Sequence, residues 1–341
     1  MISQNIRFAI IGCGSIASRH AAQISRVGKL IAVCDIIQER ADNYALQYQA
    51  KPYYSLQDLL QHEKERIDVV AICTPNGLHA AQSIAAMQNG WHVLCEKPLS
   101  IDHASANEMT TVAEVTRKKL FVVKSTRFNR AVLALKEALE NDQLGKVYSF
   151  QLNCFWNRSE AYFKKDAWRG SLQLDGGVLY TQFSHYIDVL SWLFGSIKSV
   201  SGYRQNLAHK NIIEFEDTGI ASLRMHNDIL GGINWSINAY EKNVEVSLAI
   251  FAERGTIKIG GTYMNEIEYQ LPQNLLVLTS DKDNPANDYG FYKGSMSNHD
   301  KVYDNLIATL ENSAANIAMG QDGLETVAFI DNIYKSCPLI I

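Results

Sequence analysis

The chain has 341 residues, more than one typical core supports and suited to two domains. Its 47% hydrophobic and 20% charged content is that of an ordinary soluble globular protein. With 32 basic against 36 acidic residues the formal net charge is −4, which gives no global attraction for nucleic acid or an anionic membrane, so an anionic small molecule must be held by a local basic cluster.

The six cysteines, Cys13, Cys34, Cys73, Cys95, Cys154 and Cys337, form no CxxC or CxxxC pair. Four lie in or beside apolar runs and read as buried reduced thiols, which fits a cytoplasmic setting. They have no zinc-type spacing, and no metal is expected. The apolar start at 8–11 runs straight into a glycine turn, unlike a signal peptide, and no apolar run reaches membrane-spanning length.

Residues 6–11 read as a buried strand, followed by Gly12-Cys13-Gly14-Ser15-Ile16-Ala17, a G-x-G-x-x-A turn. Gly12 permits the tight turn, Gly14 lets a diphosphate approach the backbone, and Ala17 keeps the next helix close to the strand. That helix, 16–27, aims its first N–H groups, around Ser15 and Ile16, at the phosphates. A second strand, 30–34, ends in Asp35, 21 positions after Gly14. A carboxylate there bonds the adenosine ribose hydroxyls and repels a 2′-phosphate, and Ile36 and Ile37 offer no arginine to hold one. NAD is therefore the expected cofactor rather than NADP.

Helices at 38–49 and 58–63 and a strand at 67–73 follow. The strand ends in Thr74-Pro75-Asn76-Gly77-Leu78-His79, and a helix runs to about 89. The next strand, 93–95, stops at Glu96-Lys97-Pro98, and a helix (102–117) and a strand (120–124) complete the series. Strand and helix in alternation predict right-handed crossovers and a parallel sheet. Ligands gather outside the carboxyl ends of such strands. Thr74, Pro75, Asn76, His79, Glu96 and Lys97 are thus expected beside the cofactor, with Asn76 and His79 at the nicotinamide ribose. Pro98 fixes φ, admits a cis peptide and locks the turn that aims Lys97.

After 141 the pattern changes. Residues 147–156 alternate with period two, and β-like runs follow at 199–206, 219–226, 231–239, 244–251 and 256–259, mostly without intervening helices. They predict an antiparallel, open sheet with one face covered by helices; the other, partly apolar face suits pairing of subunits into a dimer or tetramer. The fold class is α/β: an NAD-binding Rossmann domain over 1–125, and an α+β domain for substrate and oligomerisation over 126–341, its final helix able to return to the first domain. In the second domain, Trp156-Asn157-Arg158 through Tyr162 to Trp168-Arg169-Gly170 mixes aromatic and basic residues. Such residues bind phosphate or carboxylate and stack on rings, which suits an anionic nucleotide-sugar. A helix from 175 to 194, entered through Gly176-Gly177, places Thr181, His185 and Asp188 at i, i+4 and i+7 on one polar face. That stripe is a candidate for proton transfer and sugar-hydroxyl binding; the plainer alternative is a core histidine satisfied by Asp188.

Gly12-Cys13-Gly14, Thr74-Pro75-Asn76 with His79, Glu96-Lys97-Pro98 and Gly176-Gly177…His185-x-x-Asp188, in that order across the chain, resemble the Gfo/Idh/MocA oxidoreductase family. The resemblance implies nicotinamide-dependent oxidation or reduction of a sugar carbinol or ketone, with Lys97 matching the catalytic lysine and His185 the active-site histidine. Thr181 departs from the aspartate many members carry. Within the family the aromatic and basic stretch looks like that of UDP-N-acetylglucosaminuronate 3-dehydrogenases, which oxidise the sugar C3 hydroxyl and serve surface-polysaccharide synthesis. The implied substrate residues are Arg158, Tyr162, Trp168, Arg169, Thr181 and His185. Three alternatives stand: an NADPH-dependent 3-ketosugar reductase on a dTDP-sugar, a simple sugar or polyol dehydrogenase, and a non-catalytic NAD sensor.

Overall fold

The computed structural model describes residues 6–278, 282–290, 292–314 and 317–340. In chain order its first elements are β1 (Arg7–Ile11), α1 (Ala17–Val27), β2 (Lys29–Cys34), α2 (Gln38–Tyr48), β3 (Lys51–Tyr53), α3 (Leu56–His62), β4 (Val69–Ile72), α4 (His79–Gln88), β5 (His92–Cys95), α5 (His103–Thr116) and β6 (Leu120–Val122). There follow α6 (Arg130–Glu140), β7 (Val147–Phe155), α7 (Glu160–Lys164), α8 (Val178–Thr181), α9 (Ser184–Phe194), β8 (Ile197–Gln205), β9 (Thr218–Met225), β10 (Leu230–Ser236), β11 (Glu245–Ala252), β12 (Gly255–Gly260) and β13 (Glu266–Leu271). The last are β14 (Ala286–Asp288), β15 (Lys293–Met296), α10 (His299–Leu310), α11 (Gly320–Ser336) and β16 (Leu339–Ile340). The chain divides into two compact units, one of Met1–Val123 with His299–Val327, the other of Lys124–Asn298 with Ala328–Ile341.

In the first unit six strands stand in the order β3-β2-β1-β4-β5-β6, every pair parallel. The expected parallel sheet is present. Val69-Val70-Ala71-Ile72 is buried throughout, because a parallel strand is covered on both faces. The strand order reverses at β1 and β4, where α/β sheets of this kind bind dinucleotides. The short strand β3 contains Pro52 and was not expected; it sits at the sheet edge, where a missing N–H costs little. Helix α1 buries Ala17, His20, Ala21, Ile24 and Val27, an apolar stripe with a histidine in it.

The second unit holds an eight-stranded sheet in the order β13-β12-β11-β7-β10-β9-β8-β16. The β7–β10 and β8–β16 pairs are parallel and the others antiparallel, so the sheet is mixed but mostly antiparallel, as expected. The period-two alternation sends Phe150, Leu152, Ile233, Trp235, Leu248 and Ile250 to one buried face. Helix α9 packs there through Phe194, which stacks on Phe150 at 4.9 Å. The opposite face carries exposed Tyr203, Ile220, Leu230, Phe251 and Leu271. The single helix expected over 175–194 is two, α8 and α9, because the chain leaves helical geometry at Phe183, with φ −113° and ψ 3°. All six cysteines are buried and unpaired, and among the described residues no helix is long and apolar enough to cross a membrane.

Candidate functional site

The first unit supplies a dinucleotide cradle. After β1, Gly12 has φ +90°, and a Cβ there would come within 2.7 Å of Cys73 backbone atoms. Only glycine therefore lets this turn lie against the end of β4. Gly14 is the opposite case: a Cβ built on it meets nothing within 4 Å, so its backbone faces open space. Asp35, 9% exposed, binds this loop to the next turn, its Oδ2 accepting from Cys13 N–H and its Oδ1 from Ile37 N–H, each at 2.8 Å. Ser15 is exposed and Ile16 precedes the first turn of α1. A glycine with free space at a helix start and a fixed carboxylate at the end of β2 together fit NAD.

Two further turns end β4 and β5. Pro75 precedes a 3₁₀ turn over Asn76–Leu78, and Asn76 is buried. His79 was expected at a nicotinamide ribose, but its ring is 1% exposed, with Nδ1 2.7 Å from the Pro98 carbonyl oxygen and Nε2 3.0 Å from that of Thr74. It ties the Thr74 turn to the Lys97 turn from within. The Lys97–Pro98 peptide is cis, and Lys97 is half-buried. Glu96 is turned into the unit, where its Oε1 lies 2.8 Å from His20 Nε2 and 3.3 Å from His299 Nε2. Its Oε2 accepts from Lys97 N–H at 3.1 Å. Burial alone would push the Glu96 carboxyl up; the hydrogen bonds from the two histidines outweigh it and hold the group well below the usual carboxylate range.

Burial also holds His20 and His79 below the ordinary histidine pKa, and burial with Lys118 and Lys119 nearby lowers His92 to about 4. The folded chain keeps these rings neutral, whereas the unfolded chain takes up their protons below about pH 6.5. Stability should therefore be full above about pH 6.5 and fall as pH drops toward 4, by about 1.4 kcal/mol per pH unit for a fully buried ring such as His20. Glu216, raised by burial, opposes this with a single proton. The expected result is a lower urea midpoint near pH 5 than near pH 7; equal midpoints would refute it.

In the second unit His185 lies in the first turn of α9 and is 6% exposed. Thr181, at the end of α8, donates its hydroxyl to Asp175. The break between the helices means that Thr181 and His185 do not share one continuous helical face. Asp188 is held by two cations of its own unit. Its Oδ2 accepts from Arg127 Nε at 2.8 Å, and its Oδ1 lies 2.7 Å from Arg127 Nη2 and 2.9 Å from Lys124 Nζ. Burial would raise the Asp188 carboxyl, but the two cations reverse this and leave it far below the ordinary value.

The aromatic and basic stretch closes into one cluster. The Arg158 guanidinium lies 4.8 Å from the Trp156 ring and 5.2 Å from those of Tyr162 and Tyr292. Arg169 covers Tyr162 at 4.2 Å and Trp168 at 4.8 Å. Arg158 is 2% exposed and donates to Gln182 Oε1 at 2.8 Å, Asn157 O at 2.6 Å and Asn243 Oδ1 at 3.0 Å. Among the described residues it has no carboxylate partner, whereas Arg169 bonds Asp166 at 3.2 Å. The cluster thus holds two guanidinium groups, of which only Arg169 is paired with an acid. Sequence reasoning missed Gln182, Asn243 and Tyr292 here, and Lys124 and Arg127 beside Asp188. It also missed His20, although a histidine inside the apolar stripe of α1 was a signal, and His299, for which spacing gave none.

The chain matches two family models: the oxidoreductase family with NAD-binding Rossmann fold over residues 6–124, and the C-terminal alpha/beta domain of the same family over 136–338. It is 32% identical to the WlbA dehydrogenase of Bordetella pertussis, solved with NADH and UDP-GlcNAcA, with a TM-score of 0.85 over 99% of each chain. It is 33% identical to the WlbA dehydrogenase of Chromobacterium violaceum, solved with the same two ligands, with a TM-score of 0.86 over 98% of this chain and 94% of that one. A glucose-6-phosphate 3-dehydrogenase of Bacillus subtilis is 25% identical over 96% of this chain and 95% of its own. This chain is a member of the Gfo/Idh/MocA oxidoreductases, NAD-dependent enzymes, as its glycine turn, Glu96-Lys97-Pro98 and second-unit sheet together indicated.

Proposed function

We propose that the chain oxidises the C3 hydroxyl of a nucleotide-linked uronic sugar, UDP-N-acetylglucosaminuronic acid, with NAD⁺ as acceptor. One observation carries the reading: Arg158 is a buried cation with no carboxylate partner among the described residues. Burying an unpaired charge is costly, and three aromatic faces offset only part of that cost. An anionic ligand completes such a cluster, and a diphosphate or a uronate carboxylate is of that kind; myo-inositol is not. The two WlbA dehydrogenases, about a third identical over nearly the whole chain, were solved with UDP-GlcNAcA, which supports the same substrate.

When bound, NAD⁺ supplies the two-electron acceptor. Gly12, Gly14 and the start of α1 hold its diphosphate, and Asp35 holds its ribose hydroxyls. Lys97 takes the proton of the sugar hydroxyl as its carbon is oxidised, with His185 the alternative acceptor. Arg158 and Arg169 attract the anionic groups, and Tyr162 and Trp168 offer faces for rings. The test is product formation from UDP-N-acetylglucosaminuronic acid, glucose 6-phosphate and myo-inositol under identical conditions with NAD⁺. A 3-keto product, identified by mass spectrometry, is expected from the nucleotide-sugar alone; turnover of myo-inositol without turnover of the nucleotide-sugar would refute the reading.

A further inference from the structure

We propose that His20 and His299 are positioning residues for Lys97: they hold the Glu96 carboxylate, which in turn fixes the Lys97 backbone. The inference rests on Lys97 as proton acceptor and deepens that reading.

All of the groups belong to the first unit. Helix α1 brings His20, α10 brings His299 and Tyr303, and Glu96 follows β5. None of the four is more than 7% exposed. An ionised carboxylate only accepts, so Nε2 carries the hydrogen in both histidines. His20 Nδ1 is then a bare acceptor, and the Tyr303 hydroxyl lies 2.9 Å from it. The bonds run in one direction, from Tyr303 to His20 to Glu96. Glu96 receives a third N–H, from Lys97, on its other oxygen, and its own N–H donates to Ile72 O at 3.0 Å. Two donors from two helices and a third from the adjoining backbone leave this carboxylate one orientation.

The choice of donor is informative. An arginine would neutralise Glu96, and apolar residues would fill the space with less desolvation. Two imidazole N–H groups instead fix the direction of its Oε1, while the Lys97 N–H holds its Oε2. His20, His299 and Glu96 each offer one ligand atom within 4.8 Å of the others, a donor set zinc also takes. The 2.8 and 3.3 Å contacts and the Tyr303 bond favour the hydrogen-bonded form.

The test compares His299→Ala, His299→Gln and His299→Asn, with Lys97→Ala alongside. The glutamine amide reaches the Nε2 position and the asparagine amide does not. His299→Ala should lower kcat by roughly ten- to a hundredfold, the loss typical of a misplaced group, with KM and NADH affinity within about twofold of wild type. His299→Gln should recover most of the rate and His299→Asn should not. NADH binding reports folding; if the alanine variant fails to bind, the glutamine–asparagine contrast decides. An unchanged kcat in His299→Ala beside an inactive Lys97→Ala overturns the positioning role alone. Normal turnover by Lys97→Ala overturns the proton-acceptor reading itself. Equal losses in all three His299 variants, or stoichiometric zinc in purified wild type that His299→Ala lacks, overturn the hydrogen-bond assignment.

Discussion

Lys97→Ala is expected to lose turnover by roughly a hundred- to ten-thousandfold, the range ascribed to a positioned acid–base group, while binding NADH with unchanged affinity. The two outcomes separate because the cradle and the amine are different parts of the first unit. Gly12, Gly14, Cys13 N–H and Asp35 form a turn whose contacts do not involve the Lys97 side chain. Glu96, His20 and His79 hold the Lys97 turn through the Lys97 backbone N–H and the Pro98 carbonyl, both of which alanine keeps. The variant therefore removes an amine rather than a fold. Equal loss of NADH binding would instead place the Lys97 side chain among the groups that hold the cofactor. Retained turnover would move the proton to His185, and His185→Ala would then carry the large effect.

Asp188→Ala should cost about 3–5 kcal/mol of stability. Asp188 is 1% exposed, and its bidentate bond to Arg127 and its contact with Lys124 place two cations, each 2% exposed, around one carboxylate. Removing the acid leaves both buried charges without it. The Arg127 guanidinium lies 4.9 Å from the Trp192 ring, which offsets a fraction of that penalty. Urea unfolding followed by circular dichroism checks the figure. A loss below about 1 kcal/mol would mean that the pair is screened as surface pairs are.

The parallel sheet was legible because each of its cues is local. Buried strands read as unbroken apolar runs, the helices between them keep their own period, and Gly12 marks a turn that only glycine makes. The second sheet was legible at β7 to β12 because one face is buried and one is open, which imposes period two. Short elements escaped: β3 because Pro52 disguises an edge strand, and β14 and β15 because three or four residues carry no period. The break at Phe183 escaped because 178–194 is apolar enough to pass for one helix, and so the Thr181–His185–Asp188 stripe was overdrawn. Long-range partners left no trace in spacing. Arg127 meets Asp188 across 61 positions, His20 meets Glu96 across 76, and His299 meets Glu96 across 203. A sequence displays the residues that face a ligand more readily than those that hold them from behind.

The central claim is oxidation at C3 of UDP-N-acetylglucosaminuronic acid by NAD⁺. Its most direct measurement is a single turnover with that sugar deuterated at C3, with enzyme in excess and the nucleotide products read by mass spectrometry. Deuterium in the reduced nicotinamide, together with a 3-keto sugar, is the predicted result. Deuterium retained on the sugar, with NAD⁺ unreduced, would contradict it.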